Sequence, residues 1–478
     1  MMTRTALAAT SALTVLAAAG AANAQATTAP AAPAQTAADP ACAALMNLRL
    51  NHTRIDAALA MKAGDRQPID AFGVPALPTA APYCRVSLTL TPVTGSEIHS
   101  EVWLPVADNW NGKFAAMGNA GFGGSLGPPR LSMRPAVARG YAVAASDMGH
   151  TEPGADGKDA SWALNQPERI IDFGHRANHV TAVAAKAVIA AYYGQAPRRS
   201  YFQGCSDGGR EALMAAQRYP DDFDGIVAGA PGAAWTHLMT SFAWSWKVAH
   251  QDPASRLKAA NLTRIQTAVL EACDTLDGVK DGVIEDPRIC RFDPASLLCD
   301  RDAAEGCLTA GQVAAVQGLY GGPRRGVTGA ALYPGFAPGG EAQRSGRDLW
   351  ITRDAALPAE GTIQYFETVR ETMGADEVDQ FARLFMVPAM GHCFGGPGPN
   401  AFDSLAVLDA WVESGSAPDR IIASKYANDL APLLNMPTGP ALSTRPLCAY
   451  PAVARWKGEG STTDEANFVC VVPPKTDI

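Results

Sequence analysis

The pentapeptide Gly204-Cys205-Ser206-Asp207-Gly208 constrains this chain more than any other feature. It has the form G-x-S-x-G. Before it, Ser200-Tyr201-Phe202-Gln203 suits a short buried strand, and after it Gly209 to Arg218 reads as a helix. Strand, sharp turn and helix are the context in which this pattern presents a serine hydroxyl as a nucleophile. The outer glycines carry no side chain, so the turn can close tightly.

The chain has 478 residues, 47% of them hydrophobic, which allows one large domain with an insertion or two domains. Charged residues make up 18%, and the net charge of −8 is spread without acidic or basic blocks, so nothing suggests a nucleic-acid surface. Past the N-terminus no apolar run approaches membrane-spanning length. Arg4, the apolar stretch Ala6 to Ala22 and the small-residue site Ala22-Asn23-Ala24 read as a signal peptide over residues 1–24. Residues 25–39, mostly Ala, Thr, Pro and Gln, read as a flexible tether. The expected destination is the periplasm or the exterior.

All ten cysteines follow the signal, and in an exported chain an even count implies disulfides. Spacing suggests four local pairs: Cys42 with Cys84, Cys273 with Cys290, Cys299 with Cys307, and Cys448 with Cys470. Cys205 and Cys393 are left over.

Short apolar runs at Val86 to Leu90, Ile98 to Leu104, Phe114 to Met117, Tyr141 to Ala145 and Ile226 to Ala228 read as strands. Ala177 to Tyr193 reads as a helix closed by Gly194 and Pro197. Strands alternating with helices imply an α/β fold with a mostly parallel sheet and helices on both faces. The pattern breaks near Pro231 and returns near Asp348. The expected organisation is a core over 40–230, an inserted lid over 231–345 and the rest of the core over 346–478. In that last part, Leu349 to Thr352 and Leu384 to Val387 read as strands, and Thr362 to Met373 as a helix.

A serine hydroxyl needs a base to take its proton and a carboxylate to orient that base. In α/β-hydrolases the chain order is Ser, acid, His. Only His237, His250 and His392 follow Ser206, and the first two fall in the expected lid. His392 sits in the glycine-rich run after Leu384 to Val387 and is the expected base. Asp354, just past Leu349 to Thr352, is the expected acid; Asp376 and Asp379 follow a helix and read as solvated. If Ser206 and His392 touch, Cys205 and Cys393 come within disulfide reach; the alternative is a free thiol beside each catalytic residue. The oxyanion hole should use the backbone N–H of Asp207 and one from Gly118 to Gly124, for which Gly121 is favoured over a plain glycine-rich turn.

The sequence resembles the tannase and feruloyl esterase family. The resemblance rests on G-C-S-D-G-G-R at Gly204 to Arg210, on Asp172-Phe173-Gly174-His175-Arg176, and on Met386 to Cys393. It also rests on Arg445-Pro446-Leu447-Cys448-Ala449-Tyr450-Pro451, with Cys470 beyond. It implies an α/β-hydrolase core with a large lid, a Ser206-Asp354-His392 triad and a Cys205–Cys393 bond. It further implies structural calcium in Cys273 to Ile284, held by the side chains of Asp274, Asp277 and Asp281 and the carbonyls of Val279 and Val283. Three carboxylates on a loop bent by two Asp-Gly steps suit a hard cation. No organic cofactor is implied. Two departures stand out. Trp350-Ile351-Thr352-Arg353 replaces the family's His-Gly-Trp-type run before the acid, and the lid reads as shortened between Gly339 and Leu349.

The expected activity is hydrolysis of small-molecule esters of aromatic, phenolic-type acids through an acyl-enzyme. The competing expectations are a catalytically impaired relative that binds phenolic ligands, and a polyester depolymerase or peptidase on the same core.

Overall fold

Side chains on a strand alternate between its two faces, and that alternation organises the core here. The computed structural model describes residues 39–67, 69, 73–151, 159–300, 306–326, 328–343 and 357–473. The signal segment, residues 25–38 of the tether, the strand expected at Leu349 to Thr352, and Asp354 lie outside them.

Seven strands form the central sheet: β1 (Thr53–Met61), β2 (Tyr83–Leu90), β3 (Ile98–Pro105), β4 (Lys113–Met117), β5 (Ala142–Ser146), β6 (Arg199–Cys205) and β7 (Gly225–Gly229). Their spatial order is β1-β2-β3-β5-β4-β6-β7. The pairings β5-β4, β4-β6 and β6-β7 are parallel. On the other side β1, β2 and β3 extend the sheet through antiparallel pairings.

Phe114, Ala116, Ala142, Ala144 and Phe202 bury one face together with residues of α2 (Ala177–Tyr193) and α3 (Asp207–Arg218). Ala115, Met117, Val143, Ala145 and Tyr201 bury the other against α1 (Gly127–Ala138) and α4 (Ser404–Ser414). Each fully buried large side chain contributes roughly 1.5–3 kcal/mol. This is an α/β-hydrolase core with helices on both faces of the sheet, and the connections after β4, β6 and β7 open at the carboxyl ends of parallel strands, where such sheets place their sites.

Residues between Val248 and Leu319 bury a core of their own. Leu262, Ile265 and Val269 on helix Ala259–Cys273 belong to one cluster with Val313, Val316 and Leu319 on helix Ala310–Gly321. Those spacings put each set on one helical face. Beyond α4, β8 (Arg420–Lys425) pairs with β9 (Ser443–Cys448), and β10 (Val453–Trp456) with β11 (Phe468–Val471), all antiparallel. The run Leu384 to Val387, expected as a strand, makes a single bridge from Phe385 to Ala449. An apolar run becomes a strand only where a neighbour offers a continuing ladder, and Pro388 ends this one. Among the described residues no helix is long and apolar enough to cross a membrane.

Candidate active site

Ser206 stands between β6 and α3 with φ 66° and ψ −120°, a conformation that costs a non-glycine residue roughly 1–3 kcal/mol. Its neighbours enforce it. A Cβ on Gly204 would lie 2.2 Å from the carbonyl oxygen of Gly208, so glycine is needed there. The Ser206 N–H donates to Gly229 O at 3.0 Å, and Gly232 N–H donates to Ser206 O at 3.2 Å. The turn is thereby tied to the end of β7.

Across from it, His392 Nε2 lies 2.8 Å from Ser206 Oγ. This is the geometry for a base taking the hydroxyl proton when Nδ1 carries the ring hydrogen. Burial pushes the imidazole down to about 4, so it is neutral and able to accept at ordinary pH. Cys205 and Cys393 are bonded, with Cα atoms 6.0 Å apart across 188 residues of sequence. The bond joins the residue before the serine to the residue after the histidine. The histidine loop is pinned from β8. Lys425 Nζ donates to Gly396 O and to Asp429, and buried Asn400 donates to Gly398 O at 2.9 Å. His237 and His250 lie on helix Trp235–His250, where His250 Nδ1 is 3.0 Å from Trp246 O. Asp354 falls outside the described residues. Asp376 and Asp379 lie on helix Ala375–Phe381, and Asp379 pairs with Arg370.

The side on which the oxyanion hole is expected is built from backbone. The loop after β4 meets the start of α3 so closely that a Cβ on Gly118 would come within 2.5 Å of Gly208 Cα. Gly208 N–H donates to Asn119 O at 3.0 Å. Gly118, Asn119, Ala120, Gly123 and Gly124 all spend their N–H groups inside the protein. Among the described residues no acceptor takes the N–H of Asp207 or of Gly121. Phe122 on this loop meets Trp235 edge-on at 5.8 Å, so aromatic surface flanks the serine turn.

Two residues of this region carried no sequence signal of their own, Glu211 and Lys425, while Asn119 and Arg210 lay inside the glycine-rich run and the serine motif with no role assigned to them. Arg210 donates to Asp207 Oδ1 at 2.6 Å and to Phe173 O at 3.0 Å, which ties the serine helix to the Asp172 to Arg176 motif. That motif forms one wide helical turn, in which Asp172 accepts from Ser96 Oγ at 2.7 Å.

The remaining cysteines pair as Cys42–Cys84, Cys273–Cys290, Cys299–Cys307 and Cys448–Cys470. In the aspartate loop, Asp274 accepts from Gly282 N–H at 2.9 Å, Asp277 from Val279 N–H at 3.0 Å and Asp281 from Val283 N–H at 3.1 Å. Buried Arg445 bridges Asp281, at 2.6 Å, and Glu285, at 3.5 Å. Among the described residues no three His, Cys, Asp or Glu side chains converge as a metal cluster by themselves. The loop nonetheless leaves cation-seeking oxygens. Asp277 Oδ2 is buried without a hydrogen bond, although Arg445 Nη1 stands 3.8 Å from it; burial raises that carboxyl above its ordinary range, and no described donor reaches the carbonyl of Val279 or Val283.

The family model for tannase and feruloyl esterase matches residues 84–351 and 342–471. The chain belongs to the tannase and feruloyl esterase family. This makes it a carboxylic-ester hydrolase acting on a small-molecule ester. The chain is 36% identical to an uncharacterized esterase of Xanthomonas campestris pv. campestris, over 92% of each chain. It is 30% identical to the mono(2-hydroxyethyl) terephthalate hydrolase of Piscinibacter sakaiensis, over 85% of this chain and 87% of that one. Among solved structures, feruloyl esterase B from Aspergillus oryzae superposes with a TM-score of 0.79 at 26% identity, covering 90% of this chain and 99% of that one. In this family member the fold brings Ser206, His392 and the Cys205–Cys393 bond together.

Proposed function

We propose that this esterase hydrolyses esters of aromatic carboxylic acids through an acyl-enzyme on Ser206. The contact of His392 Nε2 with Ser206 Oγ at 2.8 Å carries the proposal. Ser206 Oγ attacks the ester carbonyl as its proton passes to His392 Nε2. The oxyanion takes the N–H groups of Asp207 and Gly121. His392 then returns the proton to the departing alkoxide; in the second half its Nε2 takes a proton from the water that attacks the acyl carbonyl and hands it to Ser206 Oγ as the acid leaves. Asp354 is the carboxylate that would orient His392 through Nδ1. The aromatic acyl preference is supported by two relatives named for feruloyl and terephthalate esters, whose shared feature is an aromatic acid. Phe122 and Trp235 at the serine turn supply a matching ring surface.

The aspartate loop would hold calcium through Asp274, Asp277, Asp281 and the carbonyls of Val279 and Val283. The ion would brace the loop and take no part in the chemistry. The five disulfides are consistent with an oxidising compartment, and residues 1–24 would direct export there.

Initial rates on methyl ferulate, methyl gallate, a terephthalate monoester, a peptide panel and a polyester film test the reading. The aromatic monoesters should be turned over, and Ser206→Ala should abolish that turnover. Cleavage confined to peptides or film would overturn the substrate class. Binding of these esters without turnover by oxidised, calcium-replete protein would overturn the activity.

A further inference from the structure

Glu211 lies one helical turn past the nucleophile on α3, with only 2% of its surface exposed. Burying a carboxyl group is costly unless it is partnered, and no step of the ester hydrolysis above uses this one. Its partners are specific. Oε1 accepts the backbone N–H of Asn119 at 3.1 Å, and Oε2 accepts from Asn178 Nδ2 at 2.8 Å. Asn119 begins the glycine-rich loop that carries Gly121. Its carbonyl takes the N–H of Gly208, and its side chain donates to Ser125 O at 2.8 Å and Ser146 O at 2.9 Å. One carboxyl group therefore joins the oxyanion loop, the nucleophile helix and α2.

We propose that Glu211 is a positioning residue for the oxyanion hole, holding the Asn119 to Gly121 backbone against α3 so that the N–H groups of Gly121 and Asp207 point at the same oxygen. The proposal rests on the serine-esterase reading given above. The loop and helix touch backbone to backbone at Gly118 and Gly208, with no room for side chains between them. Hydrogen bonds must then fix the register there. Of these, the Glu211 bond is the one made by an ionisable side chain on the nucleophile helix.

The surroundings favour a neutral Glu211. Burial, then the Asp207 carboxylate, push its carboxyl up to about 8, against the opposing pull of Arg210 and Asn178. Arg210 matches the Asp207 charge directly, at 2.6 Å. At neutral pH Glu211 keeps its proton. Above about 8 it ionises, placing a second negative charge behind the oxygen that becomes negative in the transition state.

Kinetics of the wild type, Glu211→Gln, Glu211→Asp and Glu211→Ala on methyl ferulate across neutral and alkaline pH test this. The wild type should lose kcat above about pH 8. Glu211→Gln still accepts from Asn119 and cannot ionise, so it should keep kcat within about threefold and lose the alkaline fall. Glu211→Ala should lower kcat on the order of a hundredfold with KM within about threefold, the mark of an interaction realised in the transition state. If Glu211→Ala does not fold, Glu211→Asp, which is too short to reach Asn119, should show the same kcat loss. An alkaline fall unchanged in Glu211→Gln, or wild-type kcat in the shortened variants, would overturn the proposal. Ser206→Ala, run beside them, separates the two levels. Loss of turnover there with silent Glu211 variants removes only the positioning role, whereas retained turnover removes the serine mechanism on which it rests.

Discussion

His392 is neutral because its surroundings solvate an imidazolium poorly, and burial alone holds it at about 4. A carboxylate at Nδ1 stabilises the protonated ring and so raises that value. With Asp354 in that place, the acid limb of kcat/KM should lie above 4. Asp354→Asn should move the limb downward, towards 4, and lower kcat by roughly three to four orders of magnitude. A limb that stays put at near wild-type rate would assign the acid to another residue, with Asp379 and Asp376 the next to substitute. Ser206 was legible because its conformation needs small neighbours that show as a pattern, and His392 because few histidines follow it. Glu211 was not. A glutamate inside a helix reads as a solvated side chain until the packing shows that it faces Asn119 and Asn178 rather than water. Lys425 was hidden likewise, since its partner is the backbone oxygen of Gly396.

At the scale of elements, the Cys205–Cys393 bond ties the serine turn to the histidine loop across 188 residues. The chain-entropy model assigns such closure about 5 kcal/mol, although measured cases often give less. The catalytic consequence should be larger than the loss of stability, because a shift of about 1 Å between reacting groups costs on the order of a hundredfold. The pair Cys205→Ser with Cys393→Ser should therefore lose activity at temperatures where circular dichroism still reports a folded protein. Activity and structure lost in parallel on heating would contradict this. For the aspartate loop, chelation should lower the melting temperature, since a ligand held only by the folded state stabilises it by mass action. In Asp277→Ala the chelator should have no further effect, and a chelator shift of wild-type size in that variant would place the ion elsewhere. Elements themselves were legible where apolar runs were uninterrupted, as in β4 and β5. β1 was missed because Ala57, Ala58, Leu59, Ala60 and Met61 favour helix by composition, yet pair with β2 across the sheet edge. That is tertiary context overriding propensity. β9 was missed for a related reason: it contains Pro446, and its ladder with β8 is not a tight hairpin but pairs residues 18 to 28 positions apart, from Lys425 with Ser443 to Arg420 with Cys448.

For the whole molecule, alternating strands and helices gave the fold class, since each side chain that alternates along β4, β5 and β6 has a helix layer waiting on its face. Strand direction was beyond reach: whether β1, β2 and β3 run parallel or antiparallel depends on which strands neighbour them, and apolar periodicity is the same in both cases. The proposed function makes one central chemical claim, that an aromatic acid passes through a covalent ester on Ser206. Rapid mixing of the oxidised protein with methyl ferulate, acid quenching within the first turnover, and mass spectrometry of the digested chain measures it directly. A feruloyl adduct should appear on the peptide containing Ser206, form at least as fast as steady turnover, and be absent from Ser206→Ala. Steady hydrolysis with no adduct, or an adduct on another residue, would contradict it.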